Sequence, residues 1–147
     1  EGVAPAVDML AYVQGAREAI AANFGPQPWE TEKACAHVLG FGTKADLSCA
    51  GVVLDFKGSE FDEAKMQTLK TWDEHAMQLA ATREARQLPG ARCAIAYVSR
   101  NVPGLCRIIE VDEADLQRGW DMFRGLLNYW KAQKRYYPEL WKAKEAA

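Results

Sequence analysis

The residues best placed to do chemistry in this chain are Asp55 and Lys57, which close the run GVVLDFK at positions 51–57. That run is apolar and rich in β-branched residues up to the abrupt Asp-Phe-Lys, the composition of a strand. Alternate side chains of a strand share a face, so Asp55 and Lys57 project together, about 6.5–7 Å apart along the chain. Val52, Leu54 and Phe56 point the other way, toward a core. Packing needs neither an Asp nor a Lys there, although an Asp-x-Lys alone is common on solvated edges. A second carboxylate changes its meaning. With Ala50-Gly51 as a two-residue turn, Cys49 faces Val52 and Asp46 falls opposite Asp55. Opposed side chains have Cβ atoms about 4.5–5.5 Å apart, where like charges destabilise the pairing. Two carboxylates so placed make sense around a cation, and oxygen ligands select hard ions such as Mg²⁺ or Mn²⁺. Ala-Gly is not a favoured turn pair, so this register is an expectation for the structure to test.

The flanking segments supply the scaffold. From Asp8 to about Asn23 the apolar residues Met9, Tyr12, Val13, Ala16 and Ile20 recur at helical spacing, and GPQP at 25–28 stops the helix. Residues Trp29 to His37 read as a strand, and Gly40 and Gly42 mark a turn or irregular crossing before Lys44–Ser48. After Gly58-Ser59 a long helix is expected from Phe61 to about Gln87, closed by Pro89-Gly90. Strands follow at 91–99 and 105–111, joined as a hairpin through Asn101–Gly104. A last helix opens at Asp112 or Glu113 and runs to about Tyr136, with Pro138 as its stop. The order α, β, β, β, α, β, β, α predicts an α/β (α+β) layered fold, with a mixed sheet between helices.

Composition bounds the rest. A chain of 147 residues with 49% hydrophobic and 26% charged residues fits one globular domain with a modest core. No apolar run approaches the roughly 18 residues of a membrane span, so no membrane partner is expected. The start EGVAPAVDML lacks a signal-peptide pattern and an initiator Met, as expected of a piece of a longer chain. Cys35, Cys49, Cys93 and Cys106 show neither zinc-site spacing nor an iron–sulfur run, and are expected as free thiols in a reducing cytoplasm. A net charge of −2 argues against holding nucleic acid by phosphate neutralisation alone, leaving a local basic patch or a bound cation. No nucleophile-elbow serine or phosphate-loop lysine is present.

The pattern as a whole resembles the RecB-like branch of the PD-(D/E)XK nucleases, which includes lambda-type phage exonucleases. The matching pieces are Gly42 to Asp46, VVLDFK at 52–57, and the helix HAMQLAATREA at 75–85, so the likeness covers roughly residues 30–85. It implies a restriction-endonuclease-like core and a metal-dependent DNA nuclease. Asp46 and Asp55 would hold Mg²⁺ or Mn²⁺, with the backbone carbonyl of Phe56 as a further ligand, and Lys57 would orient the attacking water or steady transition-state charge.

 The activity and the word DNA come from the resemblance, which points to an exonuclease of phage or bacterial recombination and repair. The residues themselves argue only for a carboxylate metal site beside a lysine. Chemically this is Lewis-acid catalysis of phosphodiester hydrolysis.

The resemblance also assigns neighbours. Gln78 would contact the DNA strand near the cleavage point, and the family's Tyr that follows it is Thr82 here. A further acidic ligand is expected from upstream, with Glu18 on the first helix and Glu32 on the first strand as candidates, although Glu32 equally suits an ordinary surface position. DNA, single- or double-stranded, would be the partner. A homo-oligomer or a larger replication or recombination assembly is compatible, in the cytoplasm of a bacterial or phage-infected cell. A non-cleaving module that binds nucleic acid or a protein, and a structure-specific endonuclease, are the alternatives.

On the last helix, Trp120, Phe123, Leu126, Leu127 and Trp130 read as core. Lys131, Lys134 and Arg135, beside Tyr136 and Tyr137, suit single-stranded nucleic acid through charge and stacking. They equally suit a solvated helix end with cations at its C-terminal dipole. His37 and His75 are expected to pack or to sit at the surface.

Overall fold

The computed structural model describes residues 9–138. Its elements are α1 (Leu10–Phe24), β1 (Glu30–His37), β2 (Phe41–Cys49), β3 (Val52–Ser59), α2 (Glu63–Met66), α3 (Asp73–Ala85), β4 (Arg92–Ser99), β5 (Cys106–Val111) and α4 (Glu113–Lys134). The strands form one sheet in the order β1-β2-β3-β4-β5. Only β3 and β4 run parallel, because the α2–α3 segment returns the chain to the same end of the sheet; every other neighbour is antiparallel. The expected α/β class, with a mixed sheet flanked by helices, is what the chain adopts.

Side-chain alternation divides the core into two layers. Val53, Cys93, Ile95 and Tyr97 pack against Ala76, Leu79 and Ala80 of α3 and Leu116 of α4. Val52, Leu54, Ala94 and Ala96 pack against Ile20 and Phe24 of α1. Strand β4 therefore presents bulk to one side and alanine to the other. The α3–α4 crossing is close because it has a glycine: a Cβ on Gly119 would lie 2.6 Å from the carbonyl carbon of Ala76. Gly15 plays the same part for α1, where a Cβ would lie 2.0 Å from the carbonyl oxygen of Gly104.

Three expectations need correction. The helix expected over 61–87 is broken into α2 and α3, and Trp72 holds an extended conformation before α3. His75 fixes that break, since its Nδ1 accepts a hydrogen bond from the Trp72 backbone N–H at 3.2 Å. The irregular stretch expected before Lys44 is part of β2, paired with β1 from Phe41 onward. The apolar face of α4 is core only in its first half. Trp120 and Phe123 stack beside Phe41, but Leu126 is 56% and Trp130 43% exposed. All four cysteines are free, with Cys49 and Cys93 buried.

Candidate metal centre

The register of the β2–β3 hairpin is the one expected from the sequence: Cys49 pairs with Val52, Ser48 with Val53 and Leu47 with Leu54. The ladder then stops. Beyond it β3 continues with β4 through Ser59, while β2 stays with β1. The next residues in register, Asp46 and Asp55, therefore stand at a fork where two strands separate.

Asp46 occupies the fork in an unusual way. Its Oδ2 accepts a hydrogen bond from the Phe56 backbone N–H at 2.9 Å. The carboxylate thus takes the place that a β2 carbonyl would have filled had the ladder continued. Across from it, the β1–β2 pairing skips Glu32 and Asp46, and Glu32 has a left-handed φ of 53°. A non-glycine residue there carries strain on the order of 1–3 kcal/mol, and such strain clusters at functional sites. The strand changes face at the same point. Thr43 bonds Thr82 on α3, whereas Leu47, of the same parity, packs on the α1 side. The irregularity is what aims Asp46 into the fork.

Asp55 and Lys57 continue the face of Val53 toward α3, where Gln78 meets both. Gln78 Nε2 donates to Asp55 Oδ1 at 2.7 Å, and Lys57 Nζ donates to Gln78 Oε1 at 3.1 Å. Lys57 Nζ also lies 2.6 Å from Asp55 Oδ2. That oxygen is nevertheless buried without a hydrogen-bond partner, so the contact is a close charge pair without the direction of a hydrogen bond. The Asp55 residue is only 6% exposed. Burial pushes its carboxyl above the usual carboxylate range; Lys57 counters the shift, and the nearby Asp46 carboxylate adds to it. Asp55, whose charge is disfavoured by burial and by the nearby Asp46 and which has an unsatisfied oxygen, forms with Asp46 a donor set suited to a hard divalent cation.

The fork opens onto a cleft of about 970 Å³ between α1 and the sheet. Asp46, Phe56 and Lys57 lie on its wall together with Tyr12, Arg17 and Trp29, while Asp55 and Gln78 do not line it.

The structure thus brings Asp46, Asp55, Lys57 and Gln78 together, with Phe56 between Asp55 and Lys57 on β3. Other candidates fall elsewhere. Glu32 lines the cleft, but its carboxylate is paired with Lys44. Glu18 accepts a hydrogen bond from Gln14 on the exposed side of α1 and does not line the cleft. Among the described residues no group of three or more His, Cys, Asp and Glu converges. Thr82 is not available to a nucleic acid: it is 3% exposed and its hydroxyl lies 2.8 Å from that of Thr43. Lys131 is buried, while Lys134 and Arg135 are exposed at the end of α4; none of the three lines the cleft. The sequence reading missed Thr43, whose hydroxyl ties the diverging half of β2 to α3, and no local pattern marks it. It also missed His75 as the cap of α3, although its position three residues after Trp72 is a capping spacing.

No family model matches this chain, and no curated protein matches it. Among solved structures, the crystal structure of an alkaline exonuclease (LHK-Exo) from Laribacter hongkongensis is similar at 15% identity, with a TM-score of 0.47. The match covers 92% of this chain and 77% of that one. The same exonuclease in complex with dAMP matches at 16% identity with the same TM-score and coverage. No helix among the described residues is long and apolar enough to cross a membrane.

Proposed function

We propose that this chain is a divalent-metal-dependent nuclease that hydrolyses phosphodiester bonds of DNA, acting as an exonuclease in phage or bacterial recombination and repair. One observation carries the reading: a buried Asp55 oxygen without a hydrogen-bond partner, with the Asp46 carboxylate nearby and Lys57 beside it, where the sheet forks. Asp46 and Asp55 would hold Mg²⁺ or Mn²⁺, joined by the Phe56 carbonyl. When bound, the ion would supply Lewis-acid polarisation of the phosphate and lower the pKa of water.

The chain's own residues do the rest. Asp46, tied to the Phe56 N–H, is held rigidly by backbone. Lys57 stands beside Asp55, within reach of a phosphate oxygen or a water in the fork, and would stabilise charge developing in the transition state. The cleft beside Phe56 gives the strand a path to the fork while its mostly apolar wall limits water. The nuclease domain of this proposal spans residues 1–147, whether as a whole protein or as part of a longer chain, and it works in the cytoplasm of a bacterial or phage-infected cell.

A second reading is favoured by Thr82, buried where the resembling family has a tyrosine, and by the net charge of −2. In it the fold binds nucleic acid or a protein partner without cleaving. The deciding experiment is digestion of end-labelled single- and double-stranded DNA with Mn²⁺, Mg²⁺ or EDTA, by wild type and Asp55→Ala. Metal-dependent digestion lost in the variant supports the nuclease. No digestion by wild type under any condition leaves the binding module. Cleavage of a closed circular substrate would replace the exonuclease with an endonuclease.

A further inference from the structure

We infer that Gln78 is a positioning residue for the metal ligands, rather than a contact to the DNA strand; this rests on the metal-dependent reading above. A carboxylate only accepts hydrogen bonds and an ammonium only donates them. A residue standing between the two must offer one donor and one acceptor, and a primary amide does so without adding charge. Gln78 uses Nε2 toward Asp55 Oδ1 and Oε1 toward Lys57 Nζ, so its orientation is fixed by chemistry on both sides.

Two consequences follow for the fork. Because Oδ1 is engaged by Gln78, the Asp55 carboxylate cannot rotate freely, and its other oxygen is the one left without a hydrogen-bond partner. Because Lys57 is held by the same amide, its ammonium stays close to that oxygen, yet off the direction that would satisfy it. Gln78 therefore decides which oxygen faces an incoming cation and where the lysine charge waits.

The helix that carries Gln78 is itself fixed on both sides. His75 caps its start, Ala76 meets Gly119 of α4, and Thr82 is bound to Thr43 of β2. Gln78 is exposed, so its place is set by these two polar partners and not by burial.

The test is Mn²⁺ titration in the absence of DNA, comparing wild type with Gln78→Met, which keeps the length of the side chain and removes both hydrogen bonds. Partners of this kind alter metal affinity about 10–100-fold. The expected result is saturable Mn²⁺ binding by wild type, weakened at least about tenfold in Gln78→Met, with an unchanged melting temperature in EDTA. Equal Mn²⁺ affinity in the two proteins would overturn the positioning role and leave the metal site standing. A weakened affinity accompanied by a clear fall in the metal-free melting temperature would overturn it too, in favour of a role in folding. No saturable binding by wild type would overturn both this inference and the reading beneath it.

Discussion

Two ion pairs, each with one buried partner and each involving α3 or a residue bonded to it, contrast sharply. Arg83 donates from Nη1 and Nη2 to the two Glu113 oxygens at 2.7 and 2.8 Å, a bidentate pair that joins α3 to the start of α4. Lys57 and Asp55 approach to 2.6 Å, yet Asp55 Oδ2 has no aligned donor. In the first pair the carboxylate is satisfied at both oxygens, and only Arg83 Nε is left over. In the second the remaining oxygen meets only the Lys57 ammonium, as a close charge contact. The completed pair joins α3 to α4, and in the proposed function the incomplete one is left to meet a ligand.

That contrast predicts opposite outcomes for two substitutions. Asp55→Ala should lower metal-dependent DNA cleavage on the order of 10³-fold, while changing the metal-free melting temperature little, because the Lys57 ammonium left behind is partly exposed and can be hydrated. Glu113→Ala should do the reverse. It strands a buried guanidinium at a cost of about 1–3 kcal/mol, read by denaturant unfolding, with metal affinity retained. If Asp55→Ala unfolds the protein and Glu113→Ala leaves it stable, the comparison fails.

The next effect sharpens the structural side. Gly119→Ala forces a Cβ against the Ala76 backbone and should cost about 1–3 kcal/mol by overpacking, since backbone cannot move aside as a side chain can. Chemical denaturation measures it, and an unchanged midpoint would contradict the close crossing.

The smallest effect concerns pH. Burial and the nearby Lys57 hold the His75 imidazole below its ordinary pKa, with Glu74 and Asp55 opposing. A lowered pKa means that the unfolded chain takes the proton first. The resulting stability is complete above about pH 6.5, the ordinary histidine value, and is lost as pH falls through the lower folded value. Protonating Nδ1 would also remove the acceptor that caps α3. His75→Gln should flatten this slope of melting temperature against pH, and an unaltered slope would remove His75 from the account.

Much of this was legible in the sequence, for identifiable reasons. The apolar run into Asp55 fixes a strand, and period two then places Lys57 beside it. The turn at Ala50-Gly51 follows from the two apolar runs it separates, and it carries Asp46 to its place. What was not legible depends on tertiary contacts. The break before α3 needs His75 folded back on Trp72, and helical spacing alone runs straight through it. The aim of Asp46 depends on the left-handed Glu32 on a neighbouring strand. The exposed half of α4 carries the same apolar spacing as its buried half, so periodicity could not tell them apart.

The most direct test of the central claim is the melting temperature of wild type, Asp46→Ala and Asp55→Ala with and without Mn²⁺. A ligand that binds only the folded state raises its stability by RT ln(1 + [L]/Kd), about 2.7 kcal/mol at a hundredfold excess over Kd. The account predicts a clear Mn²⁺-dependent rise for wild type and none for either variant. A rise that persists in both variants, or no rise in wild type, would contradict a metal site at the fork of the sheet.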